Sequence, residues 1–480
     1  MTGVQETQML PRSTPSAQRM SPAGVVALLD RLEGQGVECH SLMVVRHGHV
    51  VAEGWWAPYS ADRPHLLYSL TKSFTSIAVG LAVSDGKLAL TDRVVDVLPD
   101  HVPADIQAWA KQLTVHHLLT MTTGHRVDAL PDAWALNPRD LVKGFLRVPA
   151  EDPPGTRHAY NNATSFVLAR MVERATGRDL AELLDERLFS PMGVRRVEWD
   201  RVGSGATFGF QGLHLTTEAV AAFGELLLRE GRWGDRQLVP GEWVRLATRH
   251  HIATPQLPDG SRTADWLEGY GYHFWISRHG YRGDGALGQF CLVLPEYDLV
   301  VAMTAAADNM QTALDAVWDC LLPSVDGAAD DDPSLVPRLQ RLSLPFVAGE
   351  LAPGRDADAT INVVDTGIAD SPLPHGTSVS LRSAAGGWRL RFDTGQTRFA
   401  VEVGYGSWRE SSPLGRPAVA TGAWQGAEFA ADLYVITGPH RVRLVLDSGR
   451  ATATWNVTPL VGPGLVPQLR SPLMTRPDVS

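Results

Sequence analysis

The stretch Ser69-Leu70-Thr71-Lys72, continued by Ser73-Phe74-Thr75-Ser76-Ile77-Ala78-Val79-Gly80-Leu81-Ala82-Val83, sets the reading of this chain. On a helix, positions i and i+3 share a face, with Cβ atoms about 5–6 Å apart. A helix starting at Ser69 therefore lets Lys72 reach the serine with no loop to hold the pair. The run is mostly apolar, so it is expected to be a buried helix, stopped at Gly86. Ser69 at its start lies among free backbone N–H groups that favour developing negative charge. Burial disfavours the charged form of a lysine, so a neutral Lys72 is expected to take the proton from Ser69.

A second copy of the pattern, Ser84-Asp85-Gly86-Lys87, straddles the glycine stop, fails the face geometry and reads as a solvated turn. The chain is rich in arginine and holds few lysines (Lys72, Lys87, Lys111 and Lys143). A lysine kept in an apolar helix needs a reason, because arginine cannot act as a base. Tyr160-Asn161-Asn162 follows and supplies a phenol to relay the proton. Nucleophile, base and relay in that order suit acyl transfer through a covalent serine ester.

Length and composition bound the alternatives. At 480 residues the chain is too long for one ordinary core and is expected to form two domains. With 44% hydrophobic and 20% charged residues it reads as globular. A net charge of −10 leaves no basic footprint for nucleic acid. No stretch approaches the roughly 20 apolar residues of a membrane span. Met1 to Gln18 is polar and lacks the apolar core of a secretory leader. Cys39, Cys291 and Cys320 are odd in number and widely spaced, which suits buried thiols in a reducing, cytoplasmic setting. The pairs His116-His117 and His250-His251 diverge on a helix and match no metal spacing, so neither metal nor cofactor is expected.

Along the chain, residues 1–20 read as disordered. A helix is expected over Pro22–Glu33 and a hairpin over Leu42–Arg46 and Val50–Trp55. Helices are expected over 165–176, 180–189 and 217–230. Strands are expected over 270–276, 286–294 and 299–304, then a closing helix over 309–322. A hairpin, central helices and returning strands suit an α+β domain, 21–325, built on an antiparallel sheet flanked by helices. The acidic run Ala328 to Pro333 marks a linker, 326–345. Short alternating segments beyond it (388–392, 399–403, 433–436, 442–446, 451–457) point to an all-β sandwich or barrel over 346–480. No internal repeat is found.

Ser69, Lys72, Tyr160 and Asn162 in this order resemble the serine β-lactamase and penicillin-binding-protein superfamily, in its class C β-lactamase-like esterase and amidase branch. Leu113-Thr114-Val115-His116-His117-Leu118-Leu119-Thr120-Met121-Thr122-Thr123-Gly124 and Pro154-Gly155-Thr156 are similar to segments of that branch. The resemblance covers roughly residues 20–325; the tail is similar to lipocalin-like appendages of some members. It implies Ser69 as nucleophile, Lys72 as general base, Tyr160 as proton relay to the leaving group and Asn162 as orienter of the lysine or a substrate amide. It places the family's third motif at Gly283-Asp284-Gly285. The backbone N–H groups of Ser69 and Ala286 then form an oxyanion hole.

Here the chain departs from the pattern. Gly283 replaces a basic residue that meets a substrate carboxylate in β-lactamases and peptidases, and Asp284 adds a negative charge. This reading favours neutral or amine-bearing esters and amides; Arg282 stands next to the motif as a substitute cation. The expected activity is that of a serine hydrolase on small-molecule esters. The alternatives are a D-aminopeptidase-like amidase, a transacylase of the same mechanism, or a non-catalytic penicillin-binding-like protein. Oligomeric state is left open.

Overall fold

The computed structural model describes residues 8–257, 260, 262–327, 330–361, 371–470 and 474–475. Two compact units emerge. Among the described residues, the first comprises 8–54 and Leu67–Gln340; the second comprises Trp55–Leu66 and those within 341–475. The chain thus leaves the first unit at Trp55 and returns two residues before Ser69.

The first unit is built on a six-stranded sheet. Its strands are β1 (Glu38–Arg46), β2 (His49–Trp55), β3 (Trp275–Ile276), β4 (Tyr281–Gly285), β5 (Gln289–Leu294) and β6 (Leu299–Ala306), in the order β2-β1-β6-β5-β4-β3. The pairings β1–β6, β5–β6, β4–β5 and β3–β4 are all antiparallel, as the sequence reading anticipated. Residues on both faces of β5 and nearly all of β6 are buried, which explains their continuous apolar runs. A helix over Thr217–Leu228 packs on β1, β5 and β6. Gly224 permits that approach: a Cβ there would lie 2.4 Å from Val300 Cγ1.

Helix α1 (Pro22–Gly34) precedes the sheet. Helix α2 (Thr71–Ser84) is buried along nearly its whole length and packs on α3 (Asn162–Thr176). Ser69 lies in a 3-10 turn, Tyr68–Leu70, immediately before α2, not inside it. Gly86 closes α2 with φ +69°, a conformation that favours glycine. Residues Ser84 to Lys87 form the exposed turn that their sequence suggested.

Several expectations differ from the structure. Residues 8–20, expected to be disordered, bury Leu10 and Met20 and pair Arg12 with Glu53 and Glu218. The stretch 270–276 is a strand only at Trp275–Ile276. His273 at φ +60° and a bond from Gly271 N to Phe274 O turn the chain back on itself there. Ala286 to Gly288 belong to the turn between β4 and β5, with Leu287 and Gly288 at positive φ. Within the expected linker, Leu335–Gln340 is helical, and Arg338 bonds to Asp30 and Glu33. Ala328 and Ala329, at the start of that acidic run, lie outside the described residues.

The second unit is a barrel. Eight strands, Ala357–Ile361, Ser378–Ala384, Gly387–Asp393, Arg398–Gly404, Ala418–Gln425, Glu428–Val435, His440–Asp447 and Arg450–Trp455, follow one another round the sheet. A pairing of Gly404 with Thr421 and one of Ile361 with Ala451 close it. Its interior holds packed side chains, among them Trp388, Phe399, Phe429, Leu433 and Leu444. Ala418–Gln425 escaped the sequence reading because seven of its eight residues are buried, so it shows no alternation.

Strand β4 lies against the Ser69 turn, and two glycines allow it. A Cβ on Gly285 would sit 2.1 Å from Leu67 O, and one on Gly283 would sit 2.2 Å from Leu70 Cδ1. The first contact is with backbone and has no flexible way out. Gly285→Ala is therefore expected to cost about 1–3 kcal/mol of stability by overpacking, read as a lowered urea midpoint at unchanged slope.

Candidate active site

The lysine amine is the centre of the site. Lys72 is 1% exposed. Its Nζ donates to Ser69 Oγ at 2.9 Å, to Asn162 Oδ1 at 2.7 Å and to Phe210 O at 2.9 Å. Burial lowers its pKa from the ordinary lysine value to about 7, against the raising pull of Asp128 and Asp284. Nζ also lies 4.8 Å from the centre of the Tyr160 ring. The Tyr160 hydroxyl is hydrogen-bonded to Ser69. Burial raises the phenol's pKa, the Ser69 bond opposes this, and Asp284 and Asp128 add to the rise, so it stays protonated.

Local structure explains the placement. Tyr68, just before the serine, sits at φ +48°, a region uncommon for a residue with a Cβ. The hydroxyls of α2 hold the surrounding loops. Thr75 donates to Gly209 O, Ser73 donates to His273 O, and Thr71 accepts from Leu213 N. The loop carrying Phe210 O is thereby fixed to the helix that carries Lys72. Asn161 caps α3 by accepting from Ala163 N at 3.1 Å, which sets Asn162 in the first turn.

Asp128 is a residue the sequence reading missed. It accepts from Asn162 N at 2.9 Å and from Asn162 Nδ2 at 2.6 Å. A carboxylate only accepts, so it fixes Nδ2 toward itself and Oδ1 toward Lys72. No motif flags an aspartate 34 residues upstream of its partner. The Phe210 carbonyl was equally invisible, because any residue type supplies a carbonyl.

The structure brings Ser69, Lys72, Tyr160 and Asn162 together. The third-motif residues flank them in a different sense from that expected. Gly283 and Gly285 are closely packed on the Ser69 turn, so a larger residue there meets Leu70 or Leu67. Ala286 lies in the following turn, where buried Gln289 donates to Ala286 O at 3.1 Å and to Ala305 O at 2.6 Å. Asp284 is a strand residue whose Oδ2 accepts from Arg282 Nε at 2.8 Å. Its negative charge is therefore offset, which removes the electrostatic ground for excluding carboxylate substrates. Burial raises the Asp284 pKa; Arg282 and Lys72 oppose this.

His273 backs the helix, with Nδ1 3.2 Å from Lys72 O. Burial, assisted by Lys72, lowers its pKa to about 3, so it is neutral. Among the described residues, no group of three or more His, Cys, Asp or Glu is placed to hold a metal ion. None of the described helices is long and apolar enough to cross a membrane.

An antiparallel sheet flanked by helices, with a serine, a buried lysine and a tyrosine at its edge, defines the β-lactamase and transpeptidase-like class. The Beta-lactamase family profile matches residues 26–318, and the chain belongs to that family. Esterase EstB from Burkholderia gladioli is 31% identical over 210 residues, which is 38% of this chain and 53% of the esterase. The chain thus spans about half of that relative's length. A 6-aminohexanoate-dimer hydrolase from Paenarthrobacter ureafaciens is 24% identical over 57% of this chain and 74% of its own. Among solved structures, EstCE1, a hydrolase with promiscuous acyltransferase activity, superposes with a TM-score of 0.50 at 15% identity, over 63% of this chain and 98% of its own. That likeness concerns the fold alone.

If Asp128 holds up the Lys72 pKa, Asp128→Asn moves the acid limb of kcat/KM to lower pH, because the neutral amine then persists further into acid. The same change loosens Asn162 and lowers kcat by about 10- to 100-fold. A pH–rate profile of both forms on one activated ester checks the pair of effects.

Proposed function

We propose that the protein cleaves small esters through a Ser69 acyl-enzyme, using Ser69, Lys72 and Tyr160 in the roles of nucleophile, base and relay. The observation that carries this reading is the set of three partners around a lysine whose pKa falls to about 7. A neutral amine has two N–H donors and one lone pair. The two donors satisfy Asn162 Oδ1 and Phe210 O, which leaves the lone pair facing the Ser69 hydroxyl.

As Ser69 Oγ bonds to the carbonyl carbon, its proton passes to Lys72 Nζ. The carbonyl oxygen takes up the charge and is met by the backbone N–H groups of Ser69 and Ala286. Collapse of the tetrahedral species breaks the bond to the leaving group. That group receives the proton from the Tyr160 hydroxyl, and Lys72 restores it to the phenol. Water then attacks the acyl-enzyme by the reverse sequence, with Lys72 again accepting a proton. Esters need the least leaving-group assistance, so they head the list of substrates; amides and transfer to an alcohol or amine use the same steps. The names of the relatives, an esterase and a dimer hydrolase, support ester and amide chemistry of this kind.

Intact-protein mass after brief exposure to p-nitrophenyl esters tests the proposal. One acyl adduct in wild type and none in Ser69→Ala is the expected result; an adduct that survives the substitution overturns the assignment. Across pH, kcat/KM is expected to rise through an apparent pKa of about 7 as Lys72 loses its proton. A limb that stays in place when Lys72 is replaced removes it as the base.

A further inference from the structure

An ammonium on Lys72 has no counter-ion in contact with it. All three acceptors of Nζ are uncharged: Ser69 Oγ, Asn162 Oδ1 and Phe210 O. Among the described residues no carboxylate pairs with the amine; Asp128 and Asp284 act on it from farther away. Both are already engaged, Asp128 with Asn162 and Asp284 with Arg282. The His273 imidazole is neutral and meets the backbone oxygen of Lys72, not its amine. The Tyr160 phenol stays protonated. A lysine that takes the Ser69 proton therefore becomes a buried cation, which is costly unless something meets its charge.

Two aromatic rings meet it. Nζ lies 4.8 Å from the Tyr160 ring centre and 5.8 Å from the Phe210 ring centre, both inside the reach of about 6 Å over which a ring attracts a cation. The face of a ring is the negative part of its quadrupole, and its pull on a cation is stronger away from water than at a surface. Phe210 is 2% exposed, and its place is fixed from several sides. Phe208 packs on it with ring centres 5.1 Å apart at 61°. Gly209 between them takes φ +70°, and its carbonyl accepts from Thr75 Oγ1 at 2.6 Å. A Cβ on Gly209 would lie 2.6 Å from Ser165 O, so this loop is seated directly on α3. The Tyr160 ring is held in turn by Trp275, stacked on it at 5.9 Å and 14°.

We propose that the Phe210 side chain is a positioning residue for the base: together with the Tyr160 ring, it stabilises the ammonium form of Lys72 that arises as Ser69 is acylated. The proposal rests on the Ser69 reading above. Phe210 then acts on the amine twice, through its carbonyl as a hydrogen-bond acceptor and through its ring as a diffuse negative face. Any residue supplies the carbonyl; only an aromatic one supplies the ring. A neutral amine gains little from a ring face, so the effect falls on the protonated form. The rings thus raise the Lys72 pKa against desolvation, and weakening them lowers it.

Fluorination drains the face of a phenyl ring while leaving its shape nearly unchanged. Phe210 is replaced in the full chain by mono-, di- and trifluorophenylalanine and, separately, in Phe210→Leu. The chain has only four lysines, so carbon-13 at lysine Cε gives a spectrum simple enough to titrate Lys72 directly, its signal identified by loss in Lys72→Met. The Lys72 titration is expected to fall stepwise with fluorine content, by about 0.5 to 1 pH unit in the trifluoro form and in Phe210→Leu. The acid limb of kcat/KM on p-nitrophenyl acetate is expected to move to lower pH by the same amount, because the neutral amine then persists further into acid. A Lys72 titration that is the same in every form overturns the role of the ring and leaves the Ser69 reading intact. A rate that falls equally at every pH with no shift of the limb or the titration marks Phe210 as packing alone and overturns it too. A titration that moves while the limb stays in place overturns instead the reading of Lys72 as the base.

Discussion

The site depends on one amine removed from water. Lys72 Nζ has three oxygen partners, and each is supplied by a different part of the chain. Without its burial the lysine would be an ordinary ammonium group and useless as a base near neutrality. Without the acceptors the burial would be unaffordable in either protonation state. The rest of the first unit can be read as the means of meeting both conditions. Apolar packing along α2 supplies the dry environment. The hydroxyls of Thr71, Ser73 and Thr75, scattered through that apolar helix, anchor the loops that carry the acceptors.

The approach of β4 to the Ser69 turn is the second constraint. It is bought with glycine at 283 and 285, and it leaves no room for a side chain on that face. The missing basic residue is therefore a packing matter before it is a matter of substrate charge. The cation is present one position earlier, on the other face of the strand, where Arg282 pairs with Asp284. Strand alternation explains the exchange: residues 282 and 284 share a face, and residue 283 points away from them. Charge near Ser69 is thus set by the Arg282–Asp284 pair.

The barrel has a different character. Its interior is filled by aromatic and branched side chains, so its stability follows from an ordinary apolar core. It carries none of the residues around Lys72, which all lie within the first unit.

The fold class and the central residues of the site were legible because they rest on local rules. An i, i+3 spacing, a glycine stop and alternating or continuous apolar runs are written in neighbouring residues, and from them came α2, the antiparallel sheet and the pairing of Ser69 with Lys72. Strand Ala418–Gln425 was hidden because burial on both faces erases its alternation, and 270–274 misled because an apolar run turned at His273. Asp128, the Phe210 carbonyl and the neutralisation of Asp284 were beyond local reading. Each is a contact whose meaning depends on where a distant group lies: a carboxylate orients an amide only when it faces it, and a charge matters only with its neighbours counted. Spacing along a chain carries periodicity; it does not carry the distances across the fold on which hydrogen bonding and electrostatics depend.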